Sequence, residues 1–228
     1  MADLDTPLFV QEAIPIRDEM ARRSKIESVT GHSFDIVNEV QSAQQFKSHA
    51  LTYGSSGHRT LYQEYDHDGA RILEKTYDSY GRPLREIAYE TSGRVSTRFE
   101  YVYDRGEAWV EQRVYLIGDA LHYRIVSNRD AQGRIVGAVY LEPSGQTIRT
   151  DAYLYDEKSR LIMINMGHMG EWIFEYNGAG NLAKKNGQLP SASAFGANFE
   201  YEYDDRGLLT RMNHLHYRVT TFEYTFFD

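Results

Sequence analysis

The chain contains no cysteine. It therefore has no disulfide framework, no thiolate nucleophile and no Cys-ligated zinc, and a reducing compartment is the simplest expectation. No run approaches the roughly 18 apolar residues of a membrane-spanning helix. The opening residues Met1 to Pro7 lack the basic stretch and apolar run of a secretory leader. A cytoplasmic location with no membrane partner is expected. Basic residues number 25 against 33 acidic ones, for a net charge of −8. That balance disfavours nucleic acid, whose backbone calls for clustered cations, and suits a basic protein partner. Also missing are a nucleophile elbow, a phosphate-cradling glycine loop, a dinucleotide fingerprint and His-Glu-x-x-His. A non-enzymatic protein without cofactors is expected.

Tyrosine and glycine are nearly absent from the first fifty residues, which hold no Tyr and the single glycine Gly31; all 18 Tyr lie beyond them. The shift predicts two regimes, an N-terminal helical cap over 1–55 and an antiparallel β-sheet over 56–228. Pro15 is placed to open a helix in which Ile16, Met20, Arg23 and Ile26 share a face, with Gly31 ending it. Ser33 is placed to cap a second helix, striped by Ile36, Val37, Val40, Ala43 and Phe46.

Beyond residue 58 a turn recurs about every twelve residues: an acidic residue or Asn, two variable positions, then Gly, often with Tyr in front. It reads Tyr65-Asp66…Gly69, Tyr77-Asp78…Gly81, Tyr89-Glu90…Gly93, Asp130…Gly133, Glu142…Gly145, Asn177…Gly180 and Tyr203-Asp204…Gly207. An Asp or Asn side chain can accept the backbone N–H two residues on, and Gly takes the left-handed conformation at the fourth position. The segments between read as strands: in Phe99–Tyr103, Phe99, Tyr101 and Tyr103 share one face and Glu100 the other, and Phe-Glu-Tyr recurs at 174–176, 199–201 and 222–224. About a dozen such strands exceed what an open sheet carries without curling. The expected fold is mainly β, a large curled antiparallel meander with a small helical cap at one edge. Residues 187–198 break the period and read as a longer loop.

The motifs Tyr-Asp-x-x-Gly-Arg at 77–82, Tyr-Glu-x-x-Gly-Arg at 89–94 and Tyr-Asp-x-x-Gly at 203–207 make residues 60–228 resemble the YD repeats of Rhs proteins, related bacterial toxin shells and teneurins. Variant MORN repeats are a looser match. The resemblance implies a β-shell architecture, in which long arrays enclose a toxic domain and small immunity proteins are encoded alongside. This chain has too few strands to enclose such a domain, and lacks the family's Asp-Pro-x-Gly boundary motif and a variable domain after the array. The expectation is therefore a stand-alone cytosolic immunity protein that occludes a basic toxin domain. The alternatives are a carbohydrate-binding module, whose aromatic side chains stack on sugars, and a metal-dependent hydrolase.

Candidate partner-binding residues are Trp109 and Trp172, in less regular stretches near Gly106 and Gly170, together with Tyr201, Tyr203, Glu200 and Glu202 of one strand. Glu200 and Glu202 share a face, as a carboxylate pair for acid–base work would, although any solvated strand face shows that spacing. His214 and His216 are the best metal-like spacing, since i and i+2 on a strand point the same way; no third ligand accompanies them. His67 between Asp66 and Asp68 is explained by turn geometry.

Overall fold

The computed structural model describes residues 18–37, 40–103, 109–116, 120–188, 198–215 and 217–227, with backbone alone at 18–20, 109 and 110. A short helix, α1 (Asp18–Arg23), leads into sixteen strands. The first eight are β1 (Ile26–Val37), β2 (Val40–Tyr53), β3 (Arg59–Tyr65), β4 (Arg71–Tyr77), β5 (Pro83–Tyr89), β6 (Val95–Tyr103), β7 (Trp109–Leu116) and β8 (Leu121–Arg129). The rest are β9 (Ile135–Leu141), β10 (Thr147–Tyr155), β11 (Leu161–Asn165), β12 (Glu171–Tyr176), β13 (Leu182–Gln188), β14 (Asn198–Tyr203), β15 (Leu209–His214) and β16 (Arg218–Phe226). Each strand pairs antiparallel with the next, and β16 pairs with β1, so the meander closes into a barrel.

The turns follow the sequence reading and explain it. At the β4–β5 turn the Asp78 amide donates to the Arg82 carbonyl and the Gly81 amide to the Asp78 carbonyl, at 2.9 and 3.0 Å, with Gly81 at φ 77°. This is a type I turn closed by a left-handed residue, a common hairpin connection. Asp78 Oδ1 accepts the amides of Tyr80 and Arg82, and Oδ2 accepts Arg82 Nε at 2.6 Å. Arg82 in turn lies 4.8 Å over the ring of Tyr103, whose phenol donates to the Pro83 carbonyl at 2.5 Å. Asp130, Arg134 and Tyr155 repeat the arrangement with the Ile135 carbonyl, and Asp156, Arg160 and Tyr176 with that of Leu161. The conserved-looking spacing is thus a three-part clasp in which the tyrosine of one hairpin reaches back to the hairpin before it.

Because the chain alternates direction, every clasp lies at the same rim, here the tyrosine rim. Helix α1 packs against that rim: Ala21 is fully buried in a cluster with Ile26, Tyr53, Leu208 and Leu209. The opposite rim, the far rim, carries the β1–β2 hairpin and the turns at 66–70, 90–94, 142–146 and 166–170.

The first 55 residues correct the sequence reading. Residues 26–53, expected to be largely helical, form the two longest strands, and α1 is the one α-helix among the described residues. Ring closure decides this: β16 needs a partner, and β1 supplies one. Ser33, read as a helix cap, lies buried between strands and bonds Ser48 Oγ and Thr220 Oγ1 at 2.6 and 2.7 Å. Gly31, read as a helix terminator, faces inward where a Cβ would meet His49, Phe222 and Thr220 at 3.1–3.2 Å.

A circular ring of sixteen strands would be about 30 Å across and would leave a channel. This barrel turns large side chains inward. Its inward faces form two apolar clusters, one around Phe99, Tyr140, Ile164 and Trp172, the other around Leu51, Tyr62, Tyr201 and Met212. Opposite walls also approach each other. Glu64 on β3 and Lys185 on β13, six strands apart in the ring, act on each other's charge.

Candidate functional site: a charged cluster inside the barrel

Cross-strand register builds the site. Tyr62 faces Lys75, Lys75 faces Glu86, Glu86 faces Phe99, and Tyr101 faces Gln112, all on inward faces of β3 to β7. Lys75 Nζ and Glu86 Oε2 pair at 3.2 Å with 5% and 2% of their side chains exposed. The Tyr101 phenol donates to Glu86 Oε2 at 3.3 Å, and the Tyr62 phenol donates to Glu64. From the other wall comes Lys185, with Nζ 4.7 Å from the Trp172 ring and 4.9 Å from the Phe199 ring.

Burial raises the Glu64 carboxyl from 4.5 to about 6, against the pull of the Tyr62 hydrogen bond. Burial likewise lowers the Lys185 ammonium from 10.5 to about 7, with the Glu64 charge opposing the shift. Both ionised forms are therefore costly in this interior.

Two polar groups beside the cluster have no hydrogen-bond partner among the described residues: both amide atoms of Gln112, which is fully buried, and the Trp172 indole N–H. A buried amide left unpaired costs about 1–3 kcal/mol, so a core selected for packing alone would carry an apolar side chain there. A second buried group pairs Arg149 with Asp151: Arg149 donates to Asp151 Oδ2 at 3.2 Å and its guanidinium lies 3.9 Å over the Tyr140 ring.

Toward the far rim, Glu64, Gly187, Phe199 and His214 face inward and keep partial exposure. Gly187, directly opposite Trp172, is the next inward position beyond Lys185 and adds no side chain there.

The sequence-named residues fall in different places. Trp172 and Tyr201 point inward and are each 6% exposed, so neither anchors a surface contact. The Tyr203 phenol is held by the Leu182 carbonyl at 2.8 Å as part of the tyrosine rim. Glu200 and Glu202 do face solvent, where they pair with Lys184 and Arg211 at 3.0 and 3.4 Å. Trp109 lies opposite Tyr103 in β7, and its side chain is outside the described residues. The His214 ring stacks on Phe199 at 4.4 Å, and His216 lies outside the described residues. Among the described residues no three His, Asp or Glu side chains form a group that could hold a metal. His67 pairs with Asp68 in the β3–β4 turn while Asp66 binds the turn amides. Of the expected 187–198 loop, residues 187–188 end β13 and 198 begins β14; the remainder lies outside the described residues.

Lys75, Glu86, Gln112 and Lys185 were missed by sequence reading. A signal existed for Lys75, a polar residue at an inward position between apolar ones in Leu73-x-Lys75-x-Tyr77, and for Gln112 in Val110-x-Gln112-x-Val114.

No family model matches the chain, and no curated protein does. Among solved structures, a porin-like protein from Bacteroides uniformis is similar in fold at TM-score 0.52, with 9% identity over 88% of this chain and 98% of its own. A Photorhabdus luminescens Tc holotoxin pore aligns at TM-score 0.30 and 12% identity, over 76% of this chain and 13% of its own. A putative outer membrane lipoprotein-sorting protein domain from Vibrio parahaemolyticus aligns at TM-score 0.24 and 10% identity, over 91% and 89%. The first likeness is one of fold alone, and the other two are too slight to support an argument.

These findings overturn the expectation of an immunity protein that occludes a toxin domain. That reading needs an open concave plate, whereas the sheet closes on itself into a barrel, in a fold shared with a porin-like protein. Of the aromatic residues named for a sugar platform, Trp172 and Tyr201 are buried and Tyr203 is half-buried, and among the described residues His214 joins no group that could hold a metal.

Proposed function

We propose that this protein binds a small molecule inside its barrel, at the cluster formed by Glu64, Lys75, Glu86, Gln112, Trp172 and Lys185. The observation that carries the reading is the pair of unpartnered buried groups, Gln112 and the Trp172 N–H, set beside two lysines and two carboxylates in an aromatic-walled interior. Ligand sites combine mostly apolar walls with a few converging polar groups. The matching ligand is an amphiphile with an apolar body and a head group carrying an acceptor oxygen, since the indole N–H only donates.

The outward faces favour a barrel surrounded by water rather than lipid. Mid-strand outward positions carry Arg98–Glu100, Arg113–Glu111 and Arg124–Glu111 ion pairs. A membrane-spanning barrel turns an apolar band outward at that level. The clasped turns support reading the wall as a ring of YD-type hairpins.

Thermal melts in the presence of a metabolite library test the proposal. A binder should raise the melting temperature of the native protein and lose most of that shift in Trp172→Phe and Gln112→Leu. A shift that survives both substitutions would place the ligand elsewhere.

A further inference from the structure

We infer that Lys185 captures a carbonyl ligand of the lumen as a covalent imine, with the Trp172 indole N–H holding the carbonyl oxygen and Glu64 standing as counter-carboxylate. This rests on the lumen-binding reading and names the chemical class of its ligand. Three features at one place support it. Lys185 Nζ stands over the face of the Trp172 ring, 4.7 Å from its centroid, and the N–H at the edge of the same ring lacks a partner among the described residues. Glu64 lies across the lumen, within electrostatic reach of the amine. Gly187, opposite Trp172, adds no side chain at the next inward position toward the far rim.

Burial favours the neutral amine of Lys185 near physiological pH, which is the nucleophilic form. Its nitrogen lone pair attacks the carbonyl carbon to give a carbinolamine. A proton moves from nitrogen to oxygen, the hydroxyl leaves with a second proton as water, and a C=N bond replaces C=O. No oxidant or reductant is consumed. Glu64 is placed to relay the proton and then to pair with the protonated imine, with Lys75 and Glu86 the other charged groups facing the site.

Reductive trapping tests the inference. The purified protein would be incubated at pH 7.5 with hexanal, benzaldehyde or 4-hydroxybenzaldehyde and sodium cyanoborohydride, then peptide-mapped by mass spectrometry. For at least one aldehyde, Lys185 should label about tenfold or more faster than Lys25, Lys47 and Lys158, given its larger neutral fraction. The fast adduct should vanish in Lys185→Arg and slow severalfold in Trp172→Phe, with circular dichroism checking that both variants fold. Labelling of Lys185 no faster than the surface lysines for every aldehyde would overturn it. Thermal melts with the corresponding alcohols separate the two readings: an alcohol that stabilises the protein without any fast Lys185 adduct removes the imine and leaves the lumen site, and neither effect removes both.

Discussion

The Tyr155 phenol donates to the Ile135 carbonyl at 2.8 Å while Arg134 lies 4.9 Å over its ring, so two residues twenty apart in sequence fix one hairpin to the hairpin before it. Tyr155→Phe keeps the ring and removes the bond, and should cost about 1 kcal/mol. Arg134→Ala removes the ring contact and the Asp130 pair from a partly exposed site and should cost about 0.5–1 kcal/mol. Urea unfolding of the two single variants and the double measures both. The double should cost less than the sum, because arginine and phenol share one clasp.

Ser159 occupies the position that glycine holds in the other turns, at φ 60°, with the same bond from its amide to the Asp156 carbonyl. Ser159→Gly should therefore stabilise the protein by about 0.5–1 kcal/mol, although it gives up an exposed contact with Arg134. Gly57 is the opposite case. A Cβ there would lie 1.8 Å from Arg22 Cγ, so Gly57→Ala should cost well over 1 kcal/mol and detach α1 from the tyrosine rim, read as faster amide exchange at 21–25.

Lys185 and Glu64 set opposite pH dependences. The Lys185 pKa is lower in the folded protein than in the unfolded chain, so its contribution is present above about 10.5 and is lost as pH falls through about 7. The Glu64 pKa is higher in the folded protein, so its contribution is present below 4.5 and is lost as pH rises through about 6. Urea midpoints should thus rise between pH 7 and 9 in the native protein and lose that slope in Lys185→Met. Glu64→Gln should remove the decline between pH 4.5 and 6. His49, buried beside Ser48 and lowered from 6.5 to about 4 by burial first and the Arg218 charge second, withdraws stability as pH falls through that range.

Lys75 and Glu86 form a buried ion pair. Glu86→Gln removes the carboxylate that faces the Lys75 ammonium and should cost about 3–5 kcal/mol, whereas Lys75→Met with Glu86→Leu should recover most of that loss. Equal losses in the single and double variants would show that the pair is worth more than its apolar replacement.

The turns were legible because their signal is local: Asp66, Asp78, Asp130 and Asp204 bind the amides two and four residues on, so a few residues suffice to specify each one. The strands β1 and β2 were not, because Ser33 and Gly31 owe their conformation to Thr220 and Phe222, nearly two hundred residues away. The site was hidden for the same reason. Nothing near Lys185 in the chain announces Glu64 on β3, and Trp172, open from the sequence to core packing first and to a surface anchor second, is placed only by the register that sets it opposite Gly187.

Native mass spectrometry of the gently purified protein against a Glu64→Gln/Lys185→Met/Gln112→Leu variant tests most directly whether the barrel interior is a binding site. The lumen account predicts a one-to-one small-molecule complex, retained from the cell or formed from a metabolite extract, in the native protein and its absence in the variant. A variant that folds and binds the same compound with undiminished occupancy, or a native protein that takes up nothing from any extract, would contradict it.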